Sequence, residues 1–305
     1  MKLSASRLAS VLAAAFVAGG VSAAPVVTST TSFDAFADGS VNGQGGWGIS
    51  NDTIFQQVVN LGGGNKAWQL TNRVTSGGFG DQAFSPRPGG VPVQVMGVVT
   101  DPTPNPAFFA GETSTGASYN QFVASFDFMS VAAVLDPGAF ITISPDSGEG
   151  GRQGWIRLTS VASGVQVEGL NYAPDGSFAI STLATVAFQQ WNTIRYEIDF
   201  FDGANNDVGR VYLNNALVST TRSWENFYDV FQSALHPNRV AVQSLIFRSS
   251  GIAAPNAQGF YIDNVVTQVS NRGGDVPEPA SLALVGLALT GMFVAGRTRR
   301  PTPLA

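Results

Sequence analysis

Between residues 24 and 270, apolar and polar positions alternate in short runs, and no long stretch repeats with the three-to-four spacing of an amphipathic helix. The clearest run is Trp191 to Phe201, which alternates over two faces and predicts a half-buried strand. The polar stretch Asp202 to Asp207 interrupts it, Val208 to Leu213 predicts the return strand, and Ala216 to Thr221 a third. Asn214-Asn215 between the last two suits a two-residue type I′ turn, because asparagine tolerates the left-handed backbone. Phe122 to Val131 predicts a central strand. Ile54 to Asn60 pairs with Lys66 to Val74 across a Leu61-Gly62-Gly63-Gly64-Asn65 turn, and Trp155 to Val161 with Val165 to Leu170 across Ala162-Ser163-Gly164. Phe178 to Thr182, Ala241 to Arg248 and Gly259 to Val269 complete the set. From Ser85 to Ser118, prolines at 86, 88, 92, 102, 104 and 106 predict a long surface excursion with one edge strand, Val93 to Thr100. Many short strands between Gly-rich turns predict an all-β, antiparallel β-sandwich or barrel in one large domain.

The two ends break this pattern. Lys2 and Arg7, then the apolar stretch Leu8 to Val21, then Val21-Ser22-Ala23, have the order of a secretory signal peptide cleaved before Ala24. At the other end Pro277-Glu278-Pro279 precedes an uncharged run from Ala280 to Gly296, followed by Arg297, Arg299 and Arg300. A helix over that run would be about 25 Å long against a hydrocarbon core of about 30 Å. That span is usable if the bilayer thins or the flanking residues snorkel. The arginines behind it would stay on the cytoplasmic side. A buried C-terminal helix is the alternative, but core helices rarely end in a basic cluster and a proline-rich tail.

Motif, apolar span and arginine stop, in that order, resemble the PEP-CTERM sorting signal of Gram-negative bacteria over Val276 to Arg300. The resemblance implies recognition by an exosortase at the inner membrane, cleavage near Pro277–Pro279, and release or attachment at the cell surface. It also implies a producer of extracellular polysaccharide. The expected organisation is a signal peptide (1–23), a sandwich domain (24–270), a linker (271–275), the sorting signal with its membrane helix (276–300) and a tail (301–305).

Composition narrows the chemistry. The chain has no cysteine, so disulfides, thiolate chemistry and Cys-based zinc sites are excluded. Of its 16 basic residues five lie in the two end segments, which leaves 11 against 21 acidic residues and a net charge near −10. That balance argues against nucleic acid as a partner of the mature domain.

The run Trp191 to Ile198, the hairpin Val211 to Val218 and the closing Ile262-Asp263-Asn264-Val265 resemble the concanavalin A-like, laminin-G-like jelly rolls. Asn-Asn-Ala stands where that family often has Asp-Gly at the hairpin. The resemblance implies a jelly roll and, if the terminal strands meet, a structural Ca²⁺ between Asp34 and Asp263, whose oxygens suit a hard cation. Turn hydrogen bonding is the alternative role for both residues. Because the fold hosts lectins, hydrolases and adhesion modules, it does not fix function.

Glu197-Ile198-Asp199 resembles part of the motif of laminarinase-like glycosidases. Phe201 stands where that motif has a second glutamate, and the two carboxylates would lie about 7 Å apart on one strand face. The alternative is a polar outer face paired with Arg195 or Arg210. His236, the one histidine, has no Gly-x-Ser-x-Gly elbow to accompany it. Among the five tryptophans, Trp224 in the polar Ser223–Tyr228 stretch is the candidate for exposure and for stacking on sugar rings. The expectation is therefore an exported surface or matrix protein without catalytic activity that contacts polysaccharide. A glycan-processing enzyme, hydrolase or lyase, on the same fold is the alternative.

Overall fold

The computed structural model describes residues 26–50, 54–75, 81–90, 109–112, 114, 116–148, 151–173, 177–225, 227–228, 241–249 and 251–272. The expected signal peptide, the Pro277-Glu278-Pro279 motif with Arg297, Arg299 and Arg300, the edge strand 93–100 and His236 all lie outside the described residues. Among the described residues no helix is long and apolar enough to cross a membrane.

Fifteen strands run through this part of the chain: β1 (Val27–Thr31), β2 (Gly48–Ile49), β3 (Phe55–Gly62), β4 (Asn65–Thr71), β5 (Gln82–Phe84), β6 (Gln121–Ser130), β7 (Phe140–Asp146), β8 (Ile156–Val161), β9 (Gly164–Tyr172), β10 (Phe178–Val186), β11 (Asn192–Asp199), β12 (Val208–Leu213), β13 (Ala216–Thr221), β14 (Ser244–Ser249) and β15 (Phe260–Ser270). They form two antiparallel sheets. The eight-stranded sheet has the order β13-β12-β11-β6-β15-β4-β3, with β1 added on β15, and the seven-stranded sheet has the order β10-β9-β8-β7-β14-β5-β2. The chain passes between the sheets after β1, β2, β4, β5, β6, β10, β13 and β14, which makes the sandwich a jelly roll. β15 is long enough to serve two partners along one edge, β4 at Phe260–Ile262 and β1 at Val265–Val269. Gly259, which leads into it, has φ 77°, and a Cβ there would stand 2.2 Å from the Leu70 carbonyl oxygen, so only glycine fits.

Alternation decides which side chains meet between the sheets. Ile194, Tyr196 and Ile198 of β11 and Phe122, Ala124, Phe126 and Phe128 of β6 face Ile141 and Ile143 of β7, Ile156 and Leu158 of β8, and Leu245 and Phe247 of β14. One end of this core is aromatic: Trp47 and Trp68 lie 5.1 Å apart between ring centroids, with Phe33 and Phe247 against both. The Trp47 indole N–H donates to Thr31 Oγ1 at 3.2 Å and that of Trp68 to Gln56 Oε1 at 3.0 Å, so neither is buried at the cost of its polar atom.

The hairpins read from the pattern form. Asn214 and Asn215 take φ of 49° and 67°, the left-handed pair a type I′ turn requires. Two expectations change. The pattern gave no strand over 140–146, a segment that contains Pro145. β7 is nevertheless central, because its ladder to β8 ends at Ile143–Ile156, and Pro145 takes part through its carbonyl, which accepts from Gln153 N–H at 2.9 Å. Within the proline-rich stretch, residues 85–88 and 109–112 are buried instead of lying on the surface, while 89–90, 114, 116 and 118 are exposed. Ser85 donates its N–H to the Leu245 carbonyl, and its Oγ accepts from Leu245 N–H, both at 2.9 Å.

Candidate functional site

Alternate residues of the seven-stranded sheet point away from the core, and there they build a second, chemically different layer. On β7 these are Thr142, Ser144 and Asp146. On β14 they are Ser244, Ile246 and Arg248, opposite Asp146, Ser144 and Thr142 in register. Arg248 in turn stands opposite Gln82 of β5. This half of the face is covered: Ser144, Ser244 and Asp146 are fully buried, and the Ser144 and Ser244 hydroxyls find no hydrogen-bond partner among the described residues. Burial, with the nearby Arg152 charge adding to it, pushes the Arg248 guanidinium down to about 10, against the pull of Asp81 and Asp146. Arg248 therefore stays charged at neutral pH, beside a second arginine and two aspartates.

The other half, on β8, β9 and β10, is open. Trp155, Arg157, Thr159, Gln166 and Leu170 are half-buried there, and Phe178, Ile180 and Thr182 are exposed. Arg157 clamps Glu168 through two bonds, Nε to Oε2 at 2.5 Å and Nη2 to Oε1 at 2.9 Å, and Thr159 Oγ1 donates to Oε2 at 3.1 Å. The Arg157 bonds hold the Glu168 carboxyl below its usual range against the opposing effect of burial. The same guanidinium lies 5.1 Å from the Trp155 ring centroid, so the pair fixes an aromatic plane on the open face. Gln166 Nε2 donates to Thr182 Oγ1 at 2.7 Å beside it. Where the two halves meet, Tyr172, Trp224 and Tyr228 form a buried cluster with Trp155, Leu170 and Phe227 packed on it.

Trp224 is thus not the exposed ring expected from its polar neighbours. It is 5 % exposed, its ring lies 4.9 Å from that of Phe178, and the Arg152 guanidinium lies 5.8 Å from its centroid. Trp47 and Trp68 are in the core, and the tryptophans with accessible surface are Trp155 and Trp191.

Asp34 and Asp263 do come together, because β1 leads into the Phe33–Ala35 turn alongside β15. The Asp263 carboxyl is raised by burial first and by the charges of Asp34 and Asp127, while the backbone N–H groups of Asn264 and Phe33 hold it down. Asp34 Oδ1 accepts from Lys66 N–H at 2.9 Å. Asp127 is committed elsewhere, to Thr193 Oγ1 and Asn264 Nδ2. The arrangement supplies two carboxylates with like-charge strain between them, which a hard cation would relieve.

Glu197 and Asp199 share the outer face of the eight-stranded sheet. Glu197 pairs with Arg195, while Asp199 accepts from Arg210 Nη1 at 2.7 Å and from Gln121 Nε2 at 2.8 Å. Each carboxylate has its own arginine, as expected for a polar outer strand.

The C-terminal segment, residues 275–300, matches the PEP-CTERM protein-sorting motif. The chain therefore carries the signal for export and membrane-associated sorting by an exosortase in Gram-negative bacteria. No curated protein matches the sequence. Among solved structures, alginate lyase Aly36B, as a mutant bound to alginate tetrasaccharide, is 12% identical, with 81% of this chain and 98% of that chain covered at a TM-score of 0.48. An alginate lyase of Pseudomonas aeruginosa is 8% identical over 72% of this chain and 87% of its own, at 0.42. A carbohydrate esterase of the Shiga toxin-encoding bacteriophage phi24B is 15% identical over 80% of this chain and 100% of its own, also at 0.42. These neighbours correct the expectation of a chain without catalytic activity: lyases and an esterase stand among its similar structures, so inactivity does not follow from the sandwich.

Proposed function

We propose that the protein is delivered to the cell surface or released after exosortase cleavage near Pro277–Pro279, and that its sandwich binds extracellular polysaccharide on the open half of the seven-stranded sheet. The observation that carries this reading is the Trp155–Arg157–Glu168 arrangement. A sugar ring needs a flat apolar surface for its C–H face and oriented polar groups for its hydroxyls. Here an indole held by a clamped guanidinium shares one sheet face with Thr159, Gln166 and Thr182. Single-site affinity would be weak, and clustering on the cell surface would raise avidity without new contacts. Between Asp34 and Asp263 a Ca²⁺ ion would fix the β1 end against β15, and a chelator should then lower the Tm of the protein but not of Asp263→Ala. Retention of the full chain on polysaccharide from the producing cells, compared with an unrelated neutral glucan, tests the binding. Equal lack of retention on both overturns it.

A second reading, glycan processing, is favoured by the covered half, where Asp81, Asp146, Arg152 and Arg248 place carboxylates and guanidiniums side by side. It predicts release of shorter chains from that polysaccharide, abolished in Asp146→Asn.

A further inference from the structure

Away from this face, three acidic side chains meet at the end of the sandwich where the described chain begins and ends. Register fixes the place: Val208 lies opposite Asp199, Asp199 opposite Gln121, Gln121 opposite Ser270, and Val269 opposite Val27. Glu112 follows the Ala110 bridge to Val242, Asp207 closes the loop before β12, and Glu225 stands in the turn after β13. Their carboxylate oxygens lie within 4.8 Å of one another, and the residues are 9%, 2% and 3% exposed.

Each is held in place. Asp207 accepts from Phe201 N–H at 2.9 Å and from Ser223 Oγ at 2.6 Å. Glu112 Oε2 accepts from Ser114 Oγ at 2.6 Å, and Glu225 N–H donates to Ser223 Oγ at 3.2 Å. At this separation a proton on one carboxyl can be shared with its neighbours. Three buried carboxylates this close do not all ionise without strong repulsion. Burial, with the Glu112 charge adding to it, raises Asp207 to about 6.

The other charged groups on the surrounding elements are engaged nearby. Arg222 Nη1 donates to the Asn205 carbonyl at 2.7 Å, Asp202 Oδ1 accepts from Ser114 N–H at 3.3 Å, Arg210 pairs with Asp199, and the Arg272 guanidinium lies 3.6 Å from the Phe201 ring centroid. A cleft of about 420 Å³ lined by Asn205, Asn206, Asp207, Thr220 and Arg222 brings solvent to the edge of the cluster.

We propose that Glu112, Asp207 and Glu225 form a proton-held latch: the shared proton locks three segments together at the terminal end of the sandwich, and its loss drives them apart. The sign follows from Asp207. In the unfolded chain it ionises near its ordinary 3.8 and in the fold near 6, so its stabilising effect is complete below 3.8, declines as pH rises between the two, and is gone above 6. The latch thus tightens in mild acid and loosens at neutral pH, next to Arg272, from which the chain continues to the sorting motif.

The test is thermal unfolding of the full chain in detergent with EDTA, from pH 4 to 7.5, together with hydrogen exchange over 200–208 and 221–225 corrected for intrinsic rates. Expected are a gain in Tm of about 2–4 °C at pH 7.5 for Asp207→Asn relative to wild type, and a rise in exchange between pH 5 and 7.5 that the variant lacks. Glu225→Gln serves as the second variant and should flatten the same pH dependence. The proposal is overturned if both variants keep the wild-type pH dependence. It is equally overturned if Ca²⁺ without EDTA raises the wild-type Tm at pH 7.5 and this gain disappears in Asp207→Asn, since a cation would then neutralise the cluster.

Discussion

Two aromatic clusters flank the seven-stranded sheet, one on each face, and they do different work. On the core side Trp47, Trp68, Phe33 and Phe247 are fully enclosed, and both indole N–H groups are bonded inside the protein. On the outer side Trp155, Tyr172, Phe178, Trp224, Phe227 and Tyr228 make a layer whose rim is open, with Phe178 40 % exposed. The first cluster holds the sheets together by buried area and close packing. The second adds little between the sheets but presents rings and guanidiniums to whatever meets the face. A tryptophan in this protein is therefore informative only once its sheet face is known.

The largest effect expected from breaking this comparison is in the core. Trp68→Ala removes a fully buried indole from contact with three rings and should cost about 3–5 kcal/mol, seen as a shifted denaturation midpoint at unchanged slope. Trp224→Ala should cost less, because part of its surroundings already faces solvent and can relax. If Trp224→Ala proved as damaging as Trp68→Ala, the outer cluster would be a second core and not a surface layer.

A third experiment concerns the clamp below Trp155. Glu168 is held below its usual range in the fold by Arg157, so its contribution to stability is present above about 4.5 and is lost as pH falls through the folded value. Glu168→Gln should remove that contribution, lowering stability at neutral pH, converging with wild type in acid, and so flattening the acid side of the stability curve. An unchanged acid limb would mean that the clamp does not hold the platform.

Much of the sandwich was legible because its strands alternate. Trp191 to Thr221 specifies a strand, a polar loop and an Asn-Asn hairpin by local chemistry, and the structure forms all three. β7 was not legible, since Pro145 looks incompatible with a central strand until the register shows where its carbonyl is used. Asp34 and Asp263 were legible as a pair through the terminal strands. The open face was not: Trp155 and Arg157 alternate with core residues like any strand, and only the pairing with Glu168 on β9 shows what they build. Trp224 misled for the converse reason. Its polar neighbours in sequence suggest solvent, while Phe178, far away in the chain, covers its ring.

The comparison is sharpest between the two tryptophans with accessible surface. Trp155 lies on the open face of the seven-stranded sheet, and Trp191, 37% exposed, lies in the turn between β10 and β11. Affinity of the full chain for polysaccharide from the producing cells, measured for wild type, Trp155→Ala and Trp191→Ala, tests the central claim directly. An aromatic contact of about 1.5 kcal/mol corresponds to roughly a tenfold change in Kd, so Trp155→Ala should weaken binding about tenfold and Trp191→Ala should leave it unchanged. Equal affinity for all three proteins, or a loss confined to Trp191→Ala, would contradict a binding surface on the open face.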